Sequence, residues 1–130
     1  MSDHPNAAIV REGLEAFMKG DTSTLAAMFA DDLVWHAPGN NPYSGEIVGK
    51  DATLARMGQL AQDGVTLSFD IHDVLANDEH VVVLSDTTFS KGNNSAVDRQ
   101  VQIMHVRDGK MTQFWAINAD QAAVDALLNG

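Results

Sequence analysis

The spacing of apolar and polar positions changes halfway along the chain and predicts helices first, strands afterwards. Over residues 5–19, Val10, Leu14, Phe17 and Met18 fall at i, i+4, i+7 and i+8, so a helix would carry them as one stripe. Asp3 reads as its cap, Pro5 suits the first turn and Gly20 stops it. A second helix is expected over residues 23–29, capped by Asp21 or Thr22 and burying Leu25, Met28 and Phe29. Residues 33–37 read as a short strand ended by Pro38-Gly39, and residues 40–49 as a loop. A third helix is expected over residues 51–62, with Leu54, Met57 and Ala61 on one side.

Beyond Val65 the period shortens. Strands are expected over residues 66–75, 80–90, 97–107 and 110–118, with turns at Asn77-Asp78 and Asp108-Gly109 and a polar loop over 91–96. Residues 120–128 read as a closing helix. Helices followed by strands, without alternation, indicate one α+β domain spanning residues 1–130.

Turn geometry then sorts the strand residues into faces. A two-residue turn at Asp108-Gly109 pairs His105 with Thr112, Ile103 with Phe114, Val101 with Ala116 and Arg99 with Asn118. A turn at Asn77-Asp78 pairs Asp73 with Val82, Ile71 with Leu84 and Phe69 with Asp86. Centring the 91–96 loop on Asn93-Asn94 sets Val82 beside His105. One mostly apolar face then carries Asp73, Asp86, Arg99, His105, Phe114 and Asn118 as its convergent polar and aromatic groups, the usual make-up of a pocket. The other face carries Gln102, Met104, Met111, Gln113, Trp115 and Ile117.

Charge narrows the partners. A formal net charge of −10 repels phosphate backbones and anionic lipid surfaces, so neither nucleic acid nor a membrane is an expected partner. The chain has no cysteine, which removes disulfides and thiolate chemistry and fits a reducing cytoplasm. Residues 1–10 lack the basic and apolar regions of a signal peptide. The five histidines show no metal-ligand spacing, and there is no phosphate loop or nucleophile elbow, so no metal or cofactor is expected.

Two helices, the run Phe29-Ala30-Asp31-Asp32-Leu33-Val34-Trp35-His36, a third helix opened by Gly49, and late strands bearing Arg107-Asp108-Gly109-Lys110-Met111 form a recognisable order. It resembles the SnoaL-like branch of the nuclear-transport-factor-2-like (NTF2-like) superfamily. The resemblance implies a cone: three N-terminal helices packed in a strongly curved antiparallel sheet around a deep cavity, often dimeric through the outer sheet face. It implies no single reaction, because the fold hosts ketosteroid isomerases, polyketide cyclases, dehydratases, epoxide hydrolases and binding modules. Ketosteroid isomerases place a general-base Asp where this chain has Ala37, and an oxyanion-hole Tyr where it has Gly13. Steroid isomerisation by that mechanism is therefore not expected. Epoxide hydrolases of the fold use an Asp–Arg–Asp set. Arg99 and Asp86 could supply two members, but Ala116 stands where the third is expected.

His105 is the candidate general base, since a neutral imidazole titrates near working pH, with Asp86 or Asp73 orienting it. Asp86 is read alternatively as the partner of Arg99 in a structural ion pair at a strand edge. Ligand contacts are expected from Trp35, inward by alternation, from Tyr43 at the cavity mouth, and from Phe17, Met57, Arg99, Phe114 and Asn118. Two function classes stand side by side. One is a cofactor-independent lyase, isomerase or cyclase acting on a small hydrophobic carbonyl compound. The other is a non-catalytic module binding an apolar metabolite, favoured by Ala37. A homodimer is expected through the face bearing Trp115, Ile117 and the two methionines.

Overall fold

The structure, a computed structural model, describes residues 4–130. Its elements run α1 (Pro5–Lys19), α2 (Thr22–Met28), β1 (Phe29–Ala37), β2 (Gly45–Val48), α3 (Lys50–Gln62), β3 (Val65–Ala76), β4 (His80–Lys91), β5 (Asn94–Arg107), β6 (Lys110–Asn118) and α4 (Gln121–Asn129). Among the described residues no helix is long and apolar enough to cross a membrane.

Local chemistry sets the helix ends. Asp3, the expected cap of α1, lies outside the described residues. His4 holds the N-cap place, its Nδ1 accepting the Asn6 amide at 3.1 Å. Gly20 closes α1 at φ 73°, a left-handed turn that glycine adopts without strain. Asp21 caps α2 by accepting the Thr24 amide at 3.2 Å. Phe29, expected as the end of that helix, opens β1 instead, where it pairs with Met111. The 40–49 loop includes the edge strand β2, paired antiparallel to β1.

The strands form one mixed, curved sheet in the order β2-β1-β6-β5-β4-β3. The β1–β6 pair is parallel and every other pair antiparallel, which corrects the expectation of a wholly antiparallel sheet. The helices cover its concave face. Val10 and Leu14 of α1, Leu25 of α2 and Phe29 and Leu33 of β1 are buried against Val81, Val83, Met104 and Phe114.

Two single-residue irregularities decide which side chains face that core. The turn at Asp108-Gly109 is the expected two-residue one, with Arg107 opposite Lys110. The register then slips, so Val106 faces Met111 while His105 faces Gln113, and Thr112 is the extra residue. Its hydroxyl donates to the His105 carbonyl at 3.3 Å. In β3 the slip falls between Ile71, opposite Ser85, and Asp73, opposite Leu84, leaving His72 extra. The Asn77 side chain builds a longer turn than expected, accepting the Glu79 and His80 amides at 2.9 and 2.8 Å, with Ala76 opposite Val81. The β4–β5 turn places Lys91 opposite Asn94, two positions from the expected register, which leaves the two strands' faces in step.

The outcome is an inversion of the central hairpin. Val81, Val83, Ser85, Thr87, Gln100, Gln102 and Met104 face the core, all buried. The expected inward set from β4 and β5, Asp86, Arg99 and His105 included, lies on the convex face with Trp115 and Ile117. One residue of slip turns every side chain of a strand over.

Candidate functional site

Between the concave sheet face and the helices lies a cavity of about 150 Å³. That is roughly the volume in which an apolar protein cavity takes up a benzene-sized molecule. Its floor is aromatic. Trp35 of β1 stacks on Phe114 of β6 at 3.7 Å between centroids, and Phe29 meets Trp35 edge-on at 6.1 Å. Phe17 and Phe69 meet at 5.9 Å on another wall. Met57 of α3 and Met28 of α2 also line it. A side chain at Gly13 would run into the Met28 thioether, so the helix-one position of an isomerase tyrosine is already filled from α2.

At the α4 end Gln100, Asn118 and Gln121 make the lining polar, with Ser85 and Thr87 bonded in series to Gln100. Ser85 and Thr87 share a hydrogen bond of 3.0 Å, and Thr87 donates to Gln100 Oε1 at 3.1 Å. Gln100 Nε2 donates to Asn118 Oδ1 at 3.0 Å, and Asn118 Nδ2 to Gln121 Oε1 at 2.9 Å. Gln121 Nε2 ends the series on Asp125 Oδ1 at 3.0 Å. Asn41 Nδ2 and the Asn40 amide also donate to that carboxylate, which holds Asp125 below the usual carboxylate range, Asn41 first and Gln121 next. A side branch runs from Gln102 Nε2 to Gln100 Oε1 at 2.9 Å. The start of α4 is pinned from the same strand, because buried Asp98 accepts the Asp120 amide at 2.9 Å.

Among the described residues, Tyr43 and Arg56 are the ionisable side chains of the lining. Both are engaged. The Tyr43 hydroxyl donates to Asp63 at 2.6 Å, and Arg56 Nη1 donates to the Pro42 carbonyl at 3.4 Å. Burial first, then the Asp63 carboxylate, push the Tyr43 phenol up to about 12. The same bond, with Gln59 behind it, holds Asp63 low. Expected as a ligand contact at the mouth, Tyr43 is buried, its ring against the cavity and its hydroxyl on Asp63.

The family model of the SnoaL-like domain matches residues 10–114, most of the chain. This chain belongs to the SnoaL-like family. Among solved structures, an NTF2-like protein from Burkholderia xenovorans LB400 is similar at 29% identity and a TM-score of 0.85, covering 99% of each chain. Bal32a, from a soil-derived mobile gene cassette, is similar at 25% identity and a TM-score of 0.88, over 95% of this chain and 96% of that one. An LEH-like epoxide hydrolase of M. tuberculosis shares the fold at 22% identity and a TM-score of 0.80, over 97% and 91%. No curated protein sequence matches. The chain thus has an NTF2-like fold that elsewhere serves small-molecule binding and catalysis.

Within this SnoaL-like frame the sequence-predicted residues divide cleanly. Trp35, Tyr43, Phe17, Met57, Phe114 and Asn118 all line the cavity. His105, Asp86, Asp73 and Arg99 do not, which corrects the expectation that they meet inside. Asp86 sits on the convex face between His72, 3.0 Å from its Oδ2, and Arg99, 3.8 Å from its Oδ1. Asp73 is exposed beside the β3 bulge, its Oδ1 accepting the Val74 amide at 2.9 Å. His105 stands among rings, 5.0 Å from Trp115 and 4.6 Å from His80. His36 lies flat on Trp115 at 4.6 Å. The bulge at His72 gathers Asp70, His72 and Asp86, with ligand atoms within 4.8 Å of one another, on the same outer face and away from the cavity. Gln100 and Gln121, not singled out in the sequence, and Gln102, expected on the outer face, line the cavity. Their one legible signal was Gln100 and Gln102 at strand spacing beside Met104.

Proposed function

We propose that this SnoaL-like chain binds a compact, mostly apolar small molecule, about one ring in size, in the cavity between sheet and helices, and performs no acid–base chemistry on it. The observation that carries the reading is the lining. It holds aromatic, aliphatic and amide side chains, while its phenol and guanidinium are each committed to a protein partner. General acid–base catalysis needs a titratable group within hydrogen-bond reach of the reacting atom. The reading is tested by thermal melting with toluene. Toluene should raise the melting temperature of the wild type and leave Ala116→Phe, in which a ring fills the cavity, unmoved. No shift in the wild type, or the same shift in both proteins, would refute it.

We also propose that a second copy of the chain covers the convex face. Val82, Leu84, Val101, Ile103, Trp115 and Ile117 are directed there by the observed register, with Leu84 38% and Ile117 54% exposed. A contiguous apolar patch of this kind seldom stays open in a monomer. Helix α4 leaves it uncovered, because Val124 and Leu128 pack with Tyr43, Val65 and Phe89 on the cavity side. The expected patch changes membership here: Gln102, Met104 and Met111 face inward and are buried.

A further inference from the structure

Asp125 gives the row of amides in the cavity wall a direction. An ionised carboxylate only accepts, so Gln121 must turn its NH₂ to Asp125 and its carbonyl to Asn118. Asn118 then turns its carbonyl to Gln100, whose NH₂ points that way and whose carbonyl is left for Thr87 and Gln102. Gln102 spends its NH₂ on that carbonyl. Its own Oε1 is left over. Gln102 is 3% exposed and borders the cavity, and among the described residues its Oε1 is the one buried side-chain nitrogen or oxygen with no hydrogen-bond partner. A buried acceptor without a donor is costly, and its neighbours on that face of the sheet, Met104 along β5 and Val83 and Ala116 across from it, carry no side-chain donor.

We infer that the ligand carries a neutral hydrogen-bond donor, a hydroxyl or N–H on an otherwise apolar ring-sized body, and that Gln102 Oε1 receives it. This rests on the binding function proposed above and narrows it. A molecule that only accepts, such as a ketone or ether, would set its oxygen against the Gln102 carbonyl. Specificity at such a site comes from the buried protein group left unpaired by the wrong ligand. The hydrophobic carbonyl compound expected from the sequence is therefore disfavoured. Asp125 acts at a distance as a positioning residue, because it fixes which end of each amide faces which neighbour.

Titration calorimetry with p-cresol, p-toluidine and 4-fluorotoluene tests this on the full chain. The three have nearly one shape, and the last lacks a donor. The wild type should bind the better of the two donor ligands about tenfold more tightly than 4-fluorotoluene, the worth of one buried hydrogen bond. Which of the two wins tells a hydroxyl from an N–H. In Gln102→Leu the order should reverse, since the donor is then stripped of water without return. In Asp125→Asn the row of amides can turn over, and the preference should shrink towards parity. Circular dichroism confirms that each variant folds. Equal or tighter binding of 4-fluorotoluene to the wild type would overturn the donor inference and leave the cavity reading standing. If none of the three binds, both fall.

Discussion

Trp35 lies flat on Phe114, ring centroids 3.7 Å apart and planes 16° from parallel, one residue from each strand of the parallel β1–β6 pair. The stack joins the second strand of the sheet to the third and forms part of the cavity wall. Phe114→Ala should cost about 3–5 kcal/mol in urea unfolding, the range for emptying a buried aromatic site. Trp35 emission should shift to the red in the same variant, because its ring loses its cover. A loss below about 1 kcal/mol would mean that the stack contributes little.

His105 stands behind the sheet, so its removal should leave the cavity alone. His105→Ala is expected to change the affinity for p-cresol or toluene by less than about twofold, as for sites that share no partners. Calorimetry on both proteins checks this. If a reaction is found and the variant loses roughly 10²–10⁴ of its rate, His105 is the base after all.

Tyr43 predicts an alkaline limit to stability. Its phenol titrates from an ordinary value of 10.0 in the unfolded chain and at about 12 in the fold. A raised folded-state value means that the stabilising neutral form is fully populated below about pH 10 and is lost as pH climbs through about 12. The wild-type melting temperature should therefore fall more steeply between about pH 10 and pH 12 than that of Tyr43→Phe. At neutral pH that variant should be less stable by about 1 kcal/mol, the loss of its bond to Asp63. Parallel curves for the two proteins would remove Tyr43 from the alkaline transition.

The convex face predicts a dimer. Light scattering at micromolar concentration should return twice the 14.0 kDa chain mass. Trp115→Glu should return a folded monomer, since a carboxylate buried there without a partner costs several kcal/mol. A monomeric wild type would show that the patch around Ile117 remains in water.

Elements were largely legible in the sequence, and faces were not. Residues 5–19 and 110–118 carry one strong period each between clear stops, and α1 and β6 keep those bounds. Trp35, Phe114 and Asn118 lie on strands outside the central hairpin, so alternation placed them correctly. The hairpin itself offered no such guide. Val81, Val82, Val83 and Leu84 are apolar without a break, so either face of β4 could have been the buried one. On β5 the choice fell between Gln100, Gln102 and Met104 on one side and Arg99, Val101, Ile103 and His105 on the other. Local pattern favoured the second set. The bulges at His72 and Thr112, which no turn signal marks, selected the first. Burying two glutamines and a threonine is acceptable because the amides, Gln102 Oε1 apart, satisfy one another down to Asp125, a reason visible only once four elements have met.

The central hairpin is thus a reversible lining. Its back carries an imidazole, His105, and, six residues along the strand, the carboxylate and guanidinium of Asp86 and Arg99. Its front carries amides, hydroxyls, apolar side chains and one carboxylate, Asp98, that is committed to the start of α4. Thr112 and His72 act as the two pins that hold the ribbon with its amide side toward the cavity. Deleting both residues would ask the same sequence to present its charged side to the cavity and its glutamines to water. Two residues, neither in the lining, thereby decide which face of the hairpin meets the cavity.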